Sequence, residues 1–136
     1  MPYIEWTQEF SVDVGEMDSE HKQWLSILNT LFDALNRGED HNVIGDVIDR
    51  MITYSKFHLS HEEEFLEDIQ YPQLAMHKTK HAELIGKLNR IEEQFKAGTN
   101  FKLTIEAIKL LKEWLVNHIL VTDKKYANYM KARATE

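Results

Sequence analysis

An all-α, up-down-up-down four-helix bundle with a short N-terminal arm is the fold class predicted by this 136-residue sequence, on three observations. Only two prolines and five glycines punctuate the chain, so its elements are long. Apolar residues recur at three- and four-residue steps through successive segments, the period of one buried helix face. The turns between these segments are short, which forces consecutive helices to run antiparallel.

Residues 1–17 lack a helical period and read as an arm, with Trp6 and Phe10 expected to cover the bundle end; residues 18–136 form the single bundle domain. Asp18 is the expected N-cap of the first helix, which runs through WLSILNTLFDAL and stops at Gly38. Trp24, Leu25, Leu28, Leu31, Phe32 and Leu35 form its apolar face. GEDHN is a turn holding His41 at the surface. The second helix carries Val43, Val47, Ile48, Met51, Ile52, Ser55, His58, Glu62 and Leu66 on adjoining faces, and Tyr71-Pro72 closes it. Pro72 suits the first turn of the third helix, which runs through HKTKHAELIGKLNRIEEQF to Gly98. The fourth begins after Thr99 or Asn100 and continues through IEAIKLLKEWLVNHILVTDKKYANYM.

Composition excludes several classes of function. A net charge of −7 with no Lys/Arg cluster argues against a nucleic-acid partner. The absence of cysteine removes disulfides, thiolate zinc sites and cysteine-ligated clusters. No apolar run approaches the roughly 18 residues of a membrane span, and MPYIEWTQEF does not read as a signal peptide. The expectation is a cytoplasmic, monomeric protein. Histidine is the unusual component, with seven copies.

Five of those histidines and two carboxylates share a spacing logic. His58 and Glu62 are four apart and point from one helix face, as do His77 and His81 on the next helix. His118 and Asp123 are five apart, about 140° around an ideal helix, which requires a sideways reach or a locally widened π turn. His21 stands near the start of the first helix. In an antiparallel bundle all these positions fall within about 10 to 15 Å along the axis. Four helices therefore deliver ligand-type side chains to one layer, with His61, Glu63 and Glu64 on the flanks.

Unpaired buried carboxylates are costly, so an internal cation is the natural compensation. Imidazole with carboxylate suits iron, zinc, copper or nickel, and disfavours calcium or magnesium. Five imidazoles and two carboxylates exceed the needs of one ion. If two metals share both carboxylates and one further oxygen, the histidines divide three and two, and the second metal keeps one open position for a small ligand.

These motifs carry a family resemblance: Trp6 with VDVGEMDSEH ending at His21, HLSHE at 58–62, HKTKH at 77–81, and WLVNHILVTDKKY spanning His118 and Asp123. The chain resembles the hemerythrins, specifically the single-domain bacterial type, over essentially its whole length. The resemblance implies two non-haem iron ions with oxo or hydroxo bridging. His77, His81 and His118 would hold the six-coordinate iron, His21 and His58 the five-coordinate one, and Glu62 and Asp123 would bridge. It implies reversible O2 binding for carriage, storage or delivery to an oxygen-consuming partner protein. Trp24, Leu59, Trp114, Leu115 and Ile119 lie beside these ligands in sequence or at helical spacing, and are expected both as core and as an apolar wall of the O2 pocket.

Rival readings use different patterns. Ferritin-like di-iron oxidases use Glu-x-x-His pairs, but here Asp18, Ser55, Leu74, Lys78 and Leu115 stand three residues before the histidines. A dinuclear hydrolase finds no HExxH, since HLSHE reverses that order. A sensor of O2 or nitric oxide would need a signalling partner. Tyr126, three residues after Asp123, is placed equally by packing or by a hydrogen bond near the bridge.

Overall fold

The computed structural model describes residues 2–98 and 101–134. After a short 3-10 turn at Gln8–Phe10 come helices α1 (Gly15–Asn36), α2 (His41–Asp68) and α3 (Leu74–Lys96). The last rod is α4 (Phe101–Asn117), a π-helical segment (His118–Asp123) and α5 (Lys124–Ala134). Helix α1 lies against α2 and α4, and α3 lies against the same two, which closes a four-helix bundle. Among the described residues there is no strand, and no helix is long and apolar enough to cross a membrane.

The helix ends follow local chemistry. Gly38 takes φ of +69°, and the Glu39 amide bonds the Ala34 carbonyl at 3.0 Å, closing α1 with a Schellman turn. Gly98 takes φ of +84° after α3. Asp40 caps α2 by accepting from the Val43 amide at 3.0 Å. Exposed His41 opens α2 and stacks on Phe95 at 4.1 Å. The residues proposed to start the fourth helix, Thr99 and Asn100, lie outside the described residues.

Three expectations are corrected. Asp18 is not the N-cap, because α1 starts three residues earlier behind Val14. Its carboxylate instead accepts from the Val12 amide at 2.8 Å and the Ser11 hydroxyl at 2.6 Å. Pro72 lies in the α2–α3 turn ahead of Gln73, the N-cap of α3, and not in the helix's first turn. The arm does more than cover an end. Asn29 exchanges two 2.8 Å hydrogen bonds with the Ile4 backbone, Tyr3 stacks on Phe32 at 3.9 Å, and Lys22 sits 4.4 Å over Trp6. The arm therefore lies along α1, and Lys112 of α4 reaches over Tyr3 at 4.4 Å.

Two apolar clusters result. The larger fills most of the bundle, from Leu25, Leu31 and Ile48 to Leu88 and Ile108. The smaller gathers Val12, Met17, Leu66, Tyr71, Tyr126 and Ala127. Along α1 the order is Met17, His21, Trp24; along α2 it is Leu59, Glu62, Leu66; along the last rod it is Ile119, Asp123, Tyr126. On three rods a buried polar residue thus stands between the two clusters, so the polar layer is roofed and floored by hydrocarbon.

Asp18→Ala should destabilise the fold by about 1–3 kcal/mol in denaturant unfolding, because it strands the Val12 amide. Hydrogen exchange at that amide should accelerate, and an unchanged midpoint would mean the arm holds on by packing alone.

Candidate metal centre

Every ligand candidate reaches the polar layer from a helix interior. His21 comes from α1, His58 and Glu62 from α2, His77 and His81 from α3, and His118 and Asp123 from the two ends of the π segment. None is more than 3% exposed. The π segment resolves the five-residue spacing: a wider turn needs more residues per revolution, so the five-residue step returns to one face. His118 Nε2 then lies 3.0 Å from Asp123 Oδ1.

The carboxylates are shared in a regular way. Glu62 Oε1 lies 2.8 Å from His77 Nε2 and 3.0 Å from His81 Nε2. Its other oxygen, Oε2, faces His21 Nε2 at 3.5 Å and His58 Nε2 at 3.6 Å. Asp123 Oδ1 is 3.2 Å from His77 Nε2, whereas Oδ2 is 3.2 Å from His21 Nε2. The donor atoms of Glu62, His77, His81, His118 and Asp123 lie within 4.8 Å of one another, as do those of His21, His58 and Glu62. The layer thus has a three-histidine pole and a two-histidine pole, with both carboxylates between them.

Burial opposes charge on His21, His77, Glu62 and Asp123, and their contacts overcome it. The Asp123 and Glu62 carboxylates raise His21 to about 10 and His77 to about 9 against that burial penalty. Burial also works against ionised Glu62, yet the imidazoles of His21, His77 and His81 beside it hold it well below the usual carboxylate range. Asp123 is opposed by burial and by the Glu62 charge, and is held low chiefly by His118.

This pairing is incomplete. His21 Nε2, His58 Nε2, His118 Nε2 and both Asp123 oxygens are buried without a well-aligned hydrogen-bond partner. Buried polar groups are rarely left so, and five converging lone-pair atoms are what metal cations would satisfy. The residues present fit a pair of metal ions.

Support comes from Glu20 and Glu63, which spacing did not single out, and from Tyr126, for which it offered packing or a hydrogen bond near the bridge. Glu20 Oε1 lies 2.7 Å from His58 Nδ1, and Glu63 Oε2 lies 2.8 Å from His81 Nδ1. Glu63, expected on a solvated flank, is therefore half-buried against a ligand candidate. Tyr126 is fully buried and donates to Glu62 Oε2 at 3.1 Å. Burial, and next the nearby Glu62 charge, push its phenol well above the ordinary range. Glu20 and Glu63 sit in runs of surface-type residues, and neither has a helical-spacing partner among the histidines it meets, so no signal in one sequence marks them.

The expected apolar wall divides between the poles. Trp24 is buried with its ring 4.8 Å from that of His58, and its indole N–H donates to Ser55 Oγ at 2.8 Å. Leu59, Leu115 and Ile119 are buried in the same apolar cluster as Trp24. Trp114 is only half-buried and stacks on His118 at 4.5 Å.

A four-helix bundle with five imidazoles and two shared carboxylates in one buried layer defines a non-haem dinuclear metal protein. Residues 12–130 match the model of the hemerythrin HHE cation binding domain. The bacteriohemerythrin of Methylococcus capsulatus is 32% identical over 133 residues, covering 97% of this chain and 100% of that protein. The myohemerythrin of Theromyzon tessulatum is 30% identical over 125 residues, 92% of this chain and 91% of that one. A crystal structure of wild-type hemerythrin superposes with a TM-score of 0.85 at 31% identity, covering 93% of this chain and 96% of that one. The chain belongs to the hemerythrin family. Its cofactor is accordingly a di-iron centre, and an O2-binding protein is what fold, site and relatives together support.

Metal-stripped protein titrated anaerobically with Fe(II) or Zn(II) should gain about 4 kcal/mol once the free metal reaches 1,000 times the dissociation constant. In thermal unfolding that is on the order of 10 °C or more. A melting curve indifferent to both metals would remove the reading of this layer as a metal site.

Proposed function

We propose that this protein binds O2 reversibly at its di-iron centre, to carry, store or deliver the gas, with His21, His58, Glu62, His77, His81, His118 and Asp123 holding the two irons. The carrying observation is the way each carboxylate divides its two oxygens between a three-histidine pole and a two-histidine pole. The unequal division leaves the His21/His58 pole one protein donor short, which suits a diatomic ligand. When bound, the two ferrous ions supply the two electrons that O2 takes up, and recover them on its release.

The remaining work falls to the protein. Trp24 lies over His58 and turns its only polar atom to Ser55, so it meets the ligand position with carbon. Leu59, Leu115 and Ile119 continue that apolar wall, excluding the water and protons that promote loss of reduced oxygen. Tyr126 holds Glu62 Oε2 with its hydroxyl, on the oxygen that faces the two-histidine pole.

Metal content and the visible spectrum test this in air, after anaerobic reduction and after O2 is readmitted. The expected result is about two irons per chain, from the ligand count, and a charge-transfer band that vanishes and returns. Two irons without recovery would replace the carrier by a sensor or an oxidase, and zinc in iron's place would point to hydrolysis. His58→Ala should abolish O2 binding with helicity retained; intact binding would remove His58 from the centre. Leu115→Ala should hasten autoxidation several-fold by opening the wall, whereas an unaltered rate would make Leu115 plain core.

A further inference from the structure

The two-histidine pole is braced from behind by side chains that the metal reading leaves unused. Glu16 and Glu20 stand one turn apart on α1, and His58 and His61 one turn apart on α2, so the four interleave where those helices meet. His61 Nε2 lies 3.2 Å from Glu16 Oε1, and its Nδ1 bonds Glu20 Oε2. The other Glu20 oxygen takes His58 Nδ1 at 2.7 Å. The array runs from exposed Glu16 through half-buried His61 and buried Glu20, at 9% exposure, to fully buried His58. Tyr54 anchors it by donating to the Glu20 backbone carbonyl at 2.9 Å.

This brace decides which ring nitrogen of His58 faces the layer. With Nδ1–H given to Glu20, the lone pair sits on Nε2, the atom facing Glu62 Oε2 at 3.6 Å. His21, the other imidazole of this pole, has no such hold: its Nδ1 is buried without a hydrogen-bond partner. At the three-histidine pole the matching support is Glu63 on His81. The two carboxylates thus serve different poles.

Resting on the di-iron reading above, we infer that Glu20, gripped by His61, is the positioning residue of the His21/His58 pole: it fixes the tautomer and aim of His58, and so sets how firmly that pole alone keeps its iron. The brace reaches the surface through His61, so a substitution at a half-exposed residue should act on a buried ligand. A carboxylate behind a ligating imidazole changes metal affinity by 10- to 100-fold in other sites.

The test is anaerobic iron release from the loaded, reduced protein to excess ferrous chelator, with far-UV circular dichroism as the check on folding. Wild-type protein that never loads two irons would count against the di-iron reading itself and not against this inference. With loading achieved, Glu20→Ala should release half of its iron about 10- to 100-fold faster, with the other half leaving at the wild-type rate. Glu20→Gln, which keeps an acceptor without the charge, should fall between. His61→Ala should accelerate the same half by less and add almost nothing on top of Glu20→Ala, because it acts through that residue. Glu63→Ala should speed the other half. Wild-type release in folded Glu20→Ala, equal acceleration of both halves, or additive effects of the Glu20 and His61 changes would each overturn the inference. Should Glu20→Ala fail to fold, Glu20→Gln and His61→Ala decide by the same criteria.

Discussion

The demand that two carboxylates and five imidazoles be neutralised inside a hydrocarbon layer organises everything else in this structure. An ion taken out of water costs several kcal/mol even after relaxation, and attraction between partners repays it only with good geometry. The layer answers by placing each carboxylate against imidazole nitrogens from three elements: α1, α2 and α3 for Glu62, and α1, α3 and the π segment for Asp123. Without metal, protons lodged on His21 and His77 balance Glu62 and Asp123. With metal bound as proposed, the same nitrogens would offer lone pairs instead. One set of side chains therefore has two ways of cancelling its charge.

That layer contributes little of the hydrophobic stabilisation that a core ordinarily supplies. A buried Leu or Ile at each position would give roughly 1.5–3 kcal/mol, and seven such positions are given over to chemistry. The compensation is length. Helices of 22, 28 and 23 residues are about twice the typical 11–12. They extend beyond the layer to build the larger apolar cluster from Trp24 to Ile108. The smaller cluster on the other side is shallow, and there the arm matters: Val12 enters it, held by Asp18, and the Lys124 ammonium bonds the Ser11 carbonyl. The arm thus helps close this end of the bundle over Glu62 and Asp123.

Period and spacing carried the bundle and the seven ligand candidates, because both are properties of a helix that repeat along one chain. Even the π segment was half legible: the five-residue step from His118 to Asp123 left a sideways reach or a widened helix, and the helix widens. What was not legible depends on where two helices touch. Glu20 meets His58 across 38 positions of sequence, and Glu63 meets His81 across 18, with no periodicity to announce either contact. Asp18 has the chemistry of a cap, and the sequence does not say that an arm folding back along α1 will claim its carboxylate first. Pro72 failed as a marker for a related reason: a fixed φ suits a first helical turn and a preceding loop alike, and Gln70, at φ of +57°, already turns the chain there.

On the function proposed above, the asymmetry between the poles is what would turn a metal site into a gas-binding one. A third imidazole near His21 and His58 would complete the coordination there and leave nothing for O2. The chain instead sets the ring of Trp24 beside His58, and indole offers a single polar atom. Its N–H is spent on Ser55, whose own hydroxyl turns to the Met51 sulfur at 3.7 Å, so neither group has a hydrogen to offer the centre. Polar capacity on this side is placed behind the ligands: Glu20, held in turn by His61, stands at the Nδ1 edge of the His58 ring, away from Nε2. A position left open by the donors and lined by hydrocarbon can accept a small neutral molecule without also inviting the proton that would make its capture irreversible.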